Sequence, residues 1–362
     1  MVCAVVTFPV RFPVPRISHV GQVRLMTIKD IARLSGVSVS TVSRVLNDRP
    51  DVSAESRARV RAVIEAQNYV PNNSARDLVK VSSDAIGLVV RGVQNPFFTD
   101  IILAVESALE KAGYTMVMRQ IPSGADEVAC GAEMEREKRL RGIIFLGGRS
   151  DYTSADIARI NVPFVCCTYT NSYGSLDPAA YSSVSICDES EAYHAVNELI
   201  RNGHRRIAAL IAAQDDSSIS QLRYQGYVRA LREYGIPLRE ELVISTGDSF
   251  RVEDAYRAMD RALAGALDCT ALFAICDDMA IGAMRALREH GRRIPEDCSV
   301  IAIDGITVSE YIHPALTTLS QPKRALGERS AALLIDMIEG RGSGRQETLA
   351  TDLRAGGSIR SI

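Results

Sequence analysis

From residue 38 to residue 47 the chain runs Ser38, Val39, Ser40, Thr41, Val42, Ser43, Arg44, Val45, Leu46, Asn47. On a helix, Val42 and Val45 fall on one face and turn inward. Val39, Ser40, Thr41, Ser43, Arg44 and Asn47 fall on the outer face. Short hydroxyls beside one guanidinium are chemistry for nucleic acid. Thr41 and Ser43 suit phosphate oxygens, whereas Val39, Ser40 and Arg44 suit base edges in a major groove. An element must hold this face outward, and the preceding residues supply it. Ile28, Ile31, Ala32 and Leu34 recur at helical spacing, Ser35-Gly36 ends that run, and Ser38 can cap the next helix. Small Ala32 permits close approach of the two helices, giving a helix-turn-helix. Ser53 caps a third helix expected to reach about residue 68, with Val60, Val63 and Ile64 as its apolar stripe.

A second set of candidate residues follows short apolar runs further along. Phe97 and Phe98 come soon after the run 86–90, and two adjacent rings at a cleft can stack on the apolar face of a sugar or a purine. Arg223 stands shortly before Gly226-Tyr227, with Ser217 upstream, and offers forked donors to ligand hydroxyls or a carboxylate. Phe250, in the loop 247–250, offers an aromatic wall. The elements that would position these residues alternate. Strands are expected at 86–90, 115–118, 142–146, 163–167, 184–186, 207–211, 271–275 and 300–303. Helices are expected at 99–112, 126–140, 189–202, 220–234, 252–266, 279–290 and 324–339. This alternation predicts parallel sheets with right-handed crossovers, and ligands beyond the strand C-termini.

The chain has 362 residues and a net charge of −2. The charge is unevenly spread: residues 26–80 hold nine Lys or Arg against six Asp or Glu, and residues 1–25 add three arginines. A basic head on an acidic body fits an anionic partner for the head alone. No run of roughly 18 or more apolar residues occurs, so no membrane span is expected. The eight cysteines form no CxxC pair or zinc-spaced cluster and read as buried thiols in a reducing compartment. No metal or cofactor is expected. The sequence holds no Walker loop, GxSxG, HExxH or kinase set, and its five histidines do not cluster, so it does not read as an enzyme.

The run TIKDIA at 27–32 and the pattern GVSxxTVSRVLN at 36–47 resemble the head of the LacI/GalR family of bacterial transcriptional regulators, and the likeness extends over nearly all of residues 26–355. The resemblance implies an all-α helix-turn-helix head followed by an α/β, two-lobed, periplasmic-binding-protein-like effector domain with parallel sheets. It implies a head at 26–72, a hinge helix and linker at 73–83, and an effector domain at 84–355. Lobe one would take 84–187 and 323–350, lobe two 188–322 and 351–355, with 356–362 as a tail. Residues 1–25 precede Met26, where relatives commonly begin, and read as an over-extended start or a loose tail.

By the same resemblance Thr27 joins the DNA-contacting residues, as do Ala75, Arg76 and Leu78 of the hinge, with Leu78 wedged into a central minor-groove step. Asp304 corresponds to a pocket carboxylate and Gln321 to a cleft-floor glutamine. Thr168 stands where many members carry Asp, and Cys276 where they usually carry Asn, which removes an amide donor and acceptor. The expected protein is a cytoplasmic, nucleoid-associated homodimer on a near-palindromic operator, controlled by a carbohydrate-like effector. A catabolite-type regulator with a protein corepressor, and a solute-binding protein for uptake, are the alternatives. Residues 27–78 argue against the latter.

Overall fold

The computed structural model describes residues 26–46, 49, 51–67, 84–92, 95–171, 173–174, 176–213 and 218–362. They fall into two compact units divided between Val81 and Ser82.

The first unit is helical. Helix α1 (Ile28–Ser35) starts at a capping box, in which Thr27 and Asp30 satisfy each other's backbone N–H groups. It ends at Gly36, whose φ of 65° supplies the left-handed turn into α2 (Val39–Leu46). Helix α3 (Ala54–Ala66) is capped by Ser53. Ile31, Ala32, Val42, Val45 and Val60 bury completely or nearly so and form the core of the three helices. Each such valine or isoleucine contributes roughly 1.5–3 kcal/mol on burial. Leu34, counted on the inner face of α1 by its spacing, is 49% exposed. Ser35 takes the inward place instead and donates its hydroxyl to the Ile31 carbonyl at 2.7 Å.

The second unit contains two six-stranded sheets. The first comprises β1 (Ala85–Arg91), β2 (Thr115–Ile121), β3 (Gly142–Leu146), β4 (Phe164–Cys167), β5 (Ser182–Ser185) and β11 (Gln346–Thr348), in the order β11-β5-β4-β3-β1-β2. All its pairings are parallel. The second comprises β6 (Ile207–Ile211), β7 (Val243–Ser245), β8 (Ala271–Ala274), β9 (Ser299–Asp304), β10 (Thr317–Ser320) and β12 (Asp352–Arg354), in the order β12-β10-β9-β8-β6-β7. Here only β12 runs antiparallel. Strands β1, β3, β4, β6, β8 and β9 carry nearly unbroken apolar residues because helices cover both faces.

The helices around the first sheet are α4 (Phe97–Lys111), α5 (Glu127–Lys138), α6 (Ser154–Ile157) and α12 (Lys323–Ile338). Those around the second are α7 (Asp188–Arg201), α8 (Ile219–Glu233), α9 (Val252–Ala264), α10 (Asp277–Glu289) and the short α11 (Val308–Tyr311). Gly226 in α8 lies against the Glu189 carbonyl of α7, where any Cβ would collide, so this crossing is closer than side chains allow. The chain passes between lobes three times, after β5, after β10, and from β11 to β12. Both strand orders reverse at one place, between β1 and β3 and between β6 and β8, which is where such sheets open a crevice.

Residues 356–362 run along the base of the second lobe. Ser358 is fully buried, donates to the Val300 carbonyl at 2.7 Å and accepts from the Thr317 amide at 2.8 Å. His204 is sealed beneath this segment, within 2.9 Å of the Ser299 hydroxyl and 3.2 Å of the Arg360 carbonyl. Of the cysteines among the described residues, Cys166, Cys167, Cys269, Cys276 and Cys298 are buried, Cys130 is half-buried, and Cys187 is exposed.

Candidate functional site

In the helical unit, Ser38, Val39, Ser40 and Arg44 lie exposed along one side of α2, with Thr41 and Ser43 half-buried beside them. Ser38 accepts the Thr41 amide at 3.1 Å, so it caps the helix. Its hydroxyl also lies 2.7 Å from that of Ser40 and 2.8 Å from that of Thr41, so three hydroxyls form one polar patch at the helix start. Arg44 is over half exposed and pairs with Asp51 at 3.5 Å, an ion pair that solvent screens. Thr27 serves the α1 cap and is itself exposed. Asn47, Ala75, Arg76 and Leu78 lie outside the described residues, as does Ser217.

In the second unit one cavity of about 420 Å³ collects the remaining candidates. Phe97, Phe98, Thr168, Arg223, Phe250, Cys276, Asp304 and Gln321 all line it. They come from both lobes: the end of β4 and the start of α4 on one wall, and α8, the loop after β7 and the ends of β8 and β9 on the other, with Gln321 just after β10. The Phe97 and Phe98 rings lie 5.6 Å apart and tilted by 50°. Both also belong to the first lobe's core, which receives Ile306 from the second lobe.

Arg223 is 1% exposed and organises the second wall. Its Nε donates to Asp188 Oδ1 at 2.8 Å, and its Nη1 donates to the Ile275 carbonyl and to Asp304 Oδ1 at 3.3 Å. Asp304 Oδ1 also accepts from Gln321 Nε2 at 2.8 Å. Two carboxylates thus share one guanidinium, leaving an excess negative charge out of water. Burial raises both, and pushes Asp304 up to about 7 against the pull of Arg223, with the charge of Asp277 adding to the rise. Asp304 also holds a φ of 134°, a sparsely populated backbone region for a non-glycine residue. Thr168, with φ at 73°, is a second strained residue on the same cavity. The network ties lobe crossings together: Asp188 opens α7 just after the first crossing, and Gln321 lies in the second. Lys323, two residues on, donates to the Gly305 carbonyl at 2.6 Å. Cys276 is buried and offers the cavity no amide, and burial drives its thiol well above the usual range.

The cavity also contains charged and polar side chains that the sequence did not single out: Arg91, Tyr169, Asp248, Arg251 and Asp278. Burial and the neighbouring Asp277 push Asp278 up to about 6. Arg91 and Asp278 stand at or just beyond strand ends, the one signal that could have found them.

Residues 27–72 match the lacI family of bacterial regulatory proteins, and residues 196–359 match the periplasmic binding protein-like domain. The chain is 39% identical over 330 residues to the HTH-type transcriptional regulator MalR of Clostridium butyricum, covering 91% of this chain and 97% of that protein. Among solved structures it resembles a transcriptional regulator CelR–cellobiose complex, at 31% identity, TM-score 0.68, and coverage of 92% of this chain and 99% of the other. It also resembles the Lac repressor dimer bound to operator and an anti-inducer, at 26% identity, TM-score 0.76, and coverage of 93% and 100%. With a helix-turn-helix unit ahead of a two-lobed ligand-binding fold, and with identity of this extent, the chain belongs to the LacI family of DNA-binding transcriptional regulators.

Proposed function

We propose that this regulator is a repressor whose operator affinity is set by a small carbohydrate held between its lobes. The observation that carries this reading is the cavity itself. It joins phenylalanine rings from both lobes to a buried guanidinium–carboxylate network at the strand C-termini. Rings stack on the apolar face of a pyranose, while Asp304 accepts and Arg223 donates to its hydroxyls. The cellobiose carried by the CelR relative supports a sugar over a purely apolar ligand.

The protein acts as a homodimer on a near-palindromic operator in the cytoplasm; the Lac repressor it resembles forms a dimer bound to operator. Val39, Ser40 and Arg44 of each α2 read base edges, and Thr27, Ser38, Thr41, Ser43 and Asn47 fix the register on phosphates. Residues 73–83, with Ala75, Arg76 and Leu78, form the hinge in the minor groove. Ligand bridging the two walls changes the lobe arrangement, and operator affinity shifts by a coupling of about 1–3 kcal/mol. A thermal-shift screen of sugars and nucleosides tests the ligand class: sugars are expected to raise the melting temperature. Stabilisation by nucleosides alone would overturn the carbohydrate reading.

A further inference from the structure

The two walls of the cavity are charged differently. Among the described residues, the second-lobe wall carries Asp248, Asp278 and Asp304 with Arg223 and Arg251, whereas the first-lobe wall carries one charged side chain, Arg91. Arg91 is the last residue of β1, at the strand end that faces the cavity. Behind it stands Glu127, whose side chain is wholly buried in the first turn of α5. Glu127 is held by the Arg149 amide at 2.8 Å and by the Tyr152 hydroxyl at 2.9 Å. Its Oε2 lies 3.7 Å from Arg91 Nε, within ion-pair reach but too long for a hydrogen bond. Arg91 Nε is buried and has no hydrogen-bond partner among the described residues. A buried donor left in this state costs free energy, and the guanidinium it belongs to borders an open cavity.

Each wall therefore has aromatic rings and at least one guanidinium: Phe97, Phe98 and Tyr169 with Arg91 on one, Phe250 with Arg223 and Arg251 on the other. The cavity, at about 420 Å³, lies within the range of small-ligand pockets and is open at one side, which leaves room for a ligand longer than one ring.

We infer that Arg91, steered by Glu127, forms a second ring subsite on the first-lobe wall and sets a preference for a two-ring carbohydrate over a single-ring one. The inference rests on the carbohydrate reading of the same cavity. One ring sits on the Arg223–Asp304 network. The second presents adjacent hydroxyl oxygens to the planar fork of Arg91, a geometry that a lysine ammonium does not reproduce. Arg91 acts on the ligand directly, and Glu127 is a positioning residue.

Calorimetric titration of the full chain with maltose, cellobiose and glucose tests this. The unaltered protein should bind at least one of the disaccharides at least tenfold more tightly than glucose. Arg91→Gln should weaken that disaccharide tenfold or more and glucose by a clearly smaller factor, so that the disaccharide-to-glucose ratio falls. Arg91→Lys should recover only part of the loss, and Glu127→Gln should lose part of the disaccharide preference. Should Arg91→Gln fold poorly because Glu127 is left unpaired, the double variant Arg91→Gln/Glu127→Gln removes both charges and is read the same way. An unchanged disaccharide-to-glucose ratio, or equal loss of all sugars, overturns the second subsite while leaving the carbohydrate reading standing. Failure of the unaltered protein to bind either disaccharide overturns the second subsite, and the wider sugar and nucleoside screen decides the carbohydrate reading separately.

Discussion

Replacing Asp304 by Asn removes a buried charge without removing its contacts, because Arg223 and Gln321 both donate to the same oxygen, Oδ1, which Asn retains. The consequence for stability follows from the raised carboxyl. In the folded protein burial pushes the Asp304 carboxyl up to about 7, against about 3.9 when unfolded. Between these values the folded state holds the extra proton, so stability falls as pH rises through this window. At about 1.4 kcal/mol per pH unit, the penalty grows from about 2 kcal/mol at pH 5 to about 4 kcal/mol at pH 8. Asn carries no such penalty. The stability of Asp304→Asn relative to the parent should therefore improve by about 2 to 3 kcal/mol between pH 5 and pH 8. At roughly 2 °C per kcal/mol for a unit of this size, the gap in melting temperature widens by about 5 °C. Scanning calorimetry of both proteins at several pH values measures this. A gap that stays constant with pH, or narrows as pH rises, would refute the account of an over-charged network around Arg223. The same variant should lose its effector response while keeping operator binding.

Effector affinity should itself rise by about tenfold from pH 6 to pH 8, because the ionised Asp304, with its carboxyl near 7, is the better acceptor for ligand hydroxyls; titration calorimetry across that range checks it, and a flat profile counts against Asp304 as the acceptor. Arg44→Ala should cost about 1–3 kcal/mol of operator discrimination without unfolding the head, and unchanged discrimination in a gel shift would remove Arg44 from base reading. Gly226→Ala should destabilise the second unit by about 1–3 kcal/mol, because a Cβ there strikes the Glu189 carbonyl of the neighbouring helix; a melting temperature equal to the parent's would mean that the two helices can separate at no cost.

Much of this arrangement was legible in the residues, and for identifiable reasons. Val42 and Val45 share a helical face and Gly36 supplies the positive φ, so α1 and α2 could be placed from local chemistry alone. Buried parallel strands such as β3 and β6 are unbroken apolar runs. Ser182–Ser185 is different: a buried strand built largely of serines has no apolar signal, so the expected strand began two residues late. Leu34 misled because spacing does not say where the inward stripe stops. In the cavity, Asp304 and Gln321 could be named from family resemblance, and Phe97 and Arg223 from their places after apolar runs. Arg91, Tyr169 and Asp278 had only their places at or beyond strand ends to point to them, and were not singled out by residue type. The terminal segment was likewise opaque: nothing in Gly356-Gly357-Ser358 announces that Ser358 is to fill a buried gap between β9 and β10.

The most direct test of the central claim is the affinity of the full-length protein for a symmetric duplex, selected from a randomised pool, measured with and without saturating disaccharide and against a scrambled duplex. The account predicts preference for the selected duplex and a sugar-dependent change of about 5- to 150-fold, the equivalent of about 1–3 kcal/mol of coupling. Equal affinity for selected and scrambled DNA, or an affinity indifferent to a sugar that demonstrably occupies the cavity, would contradict it.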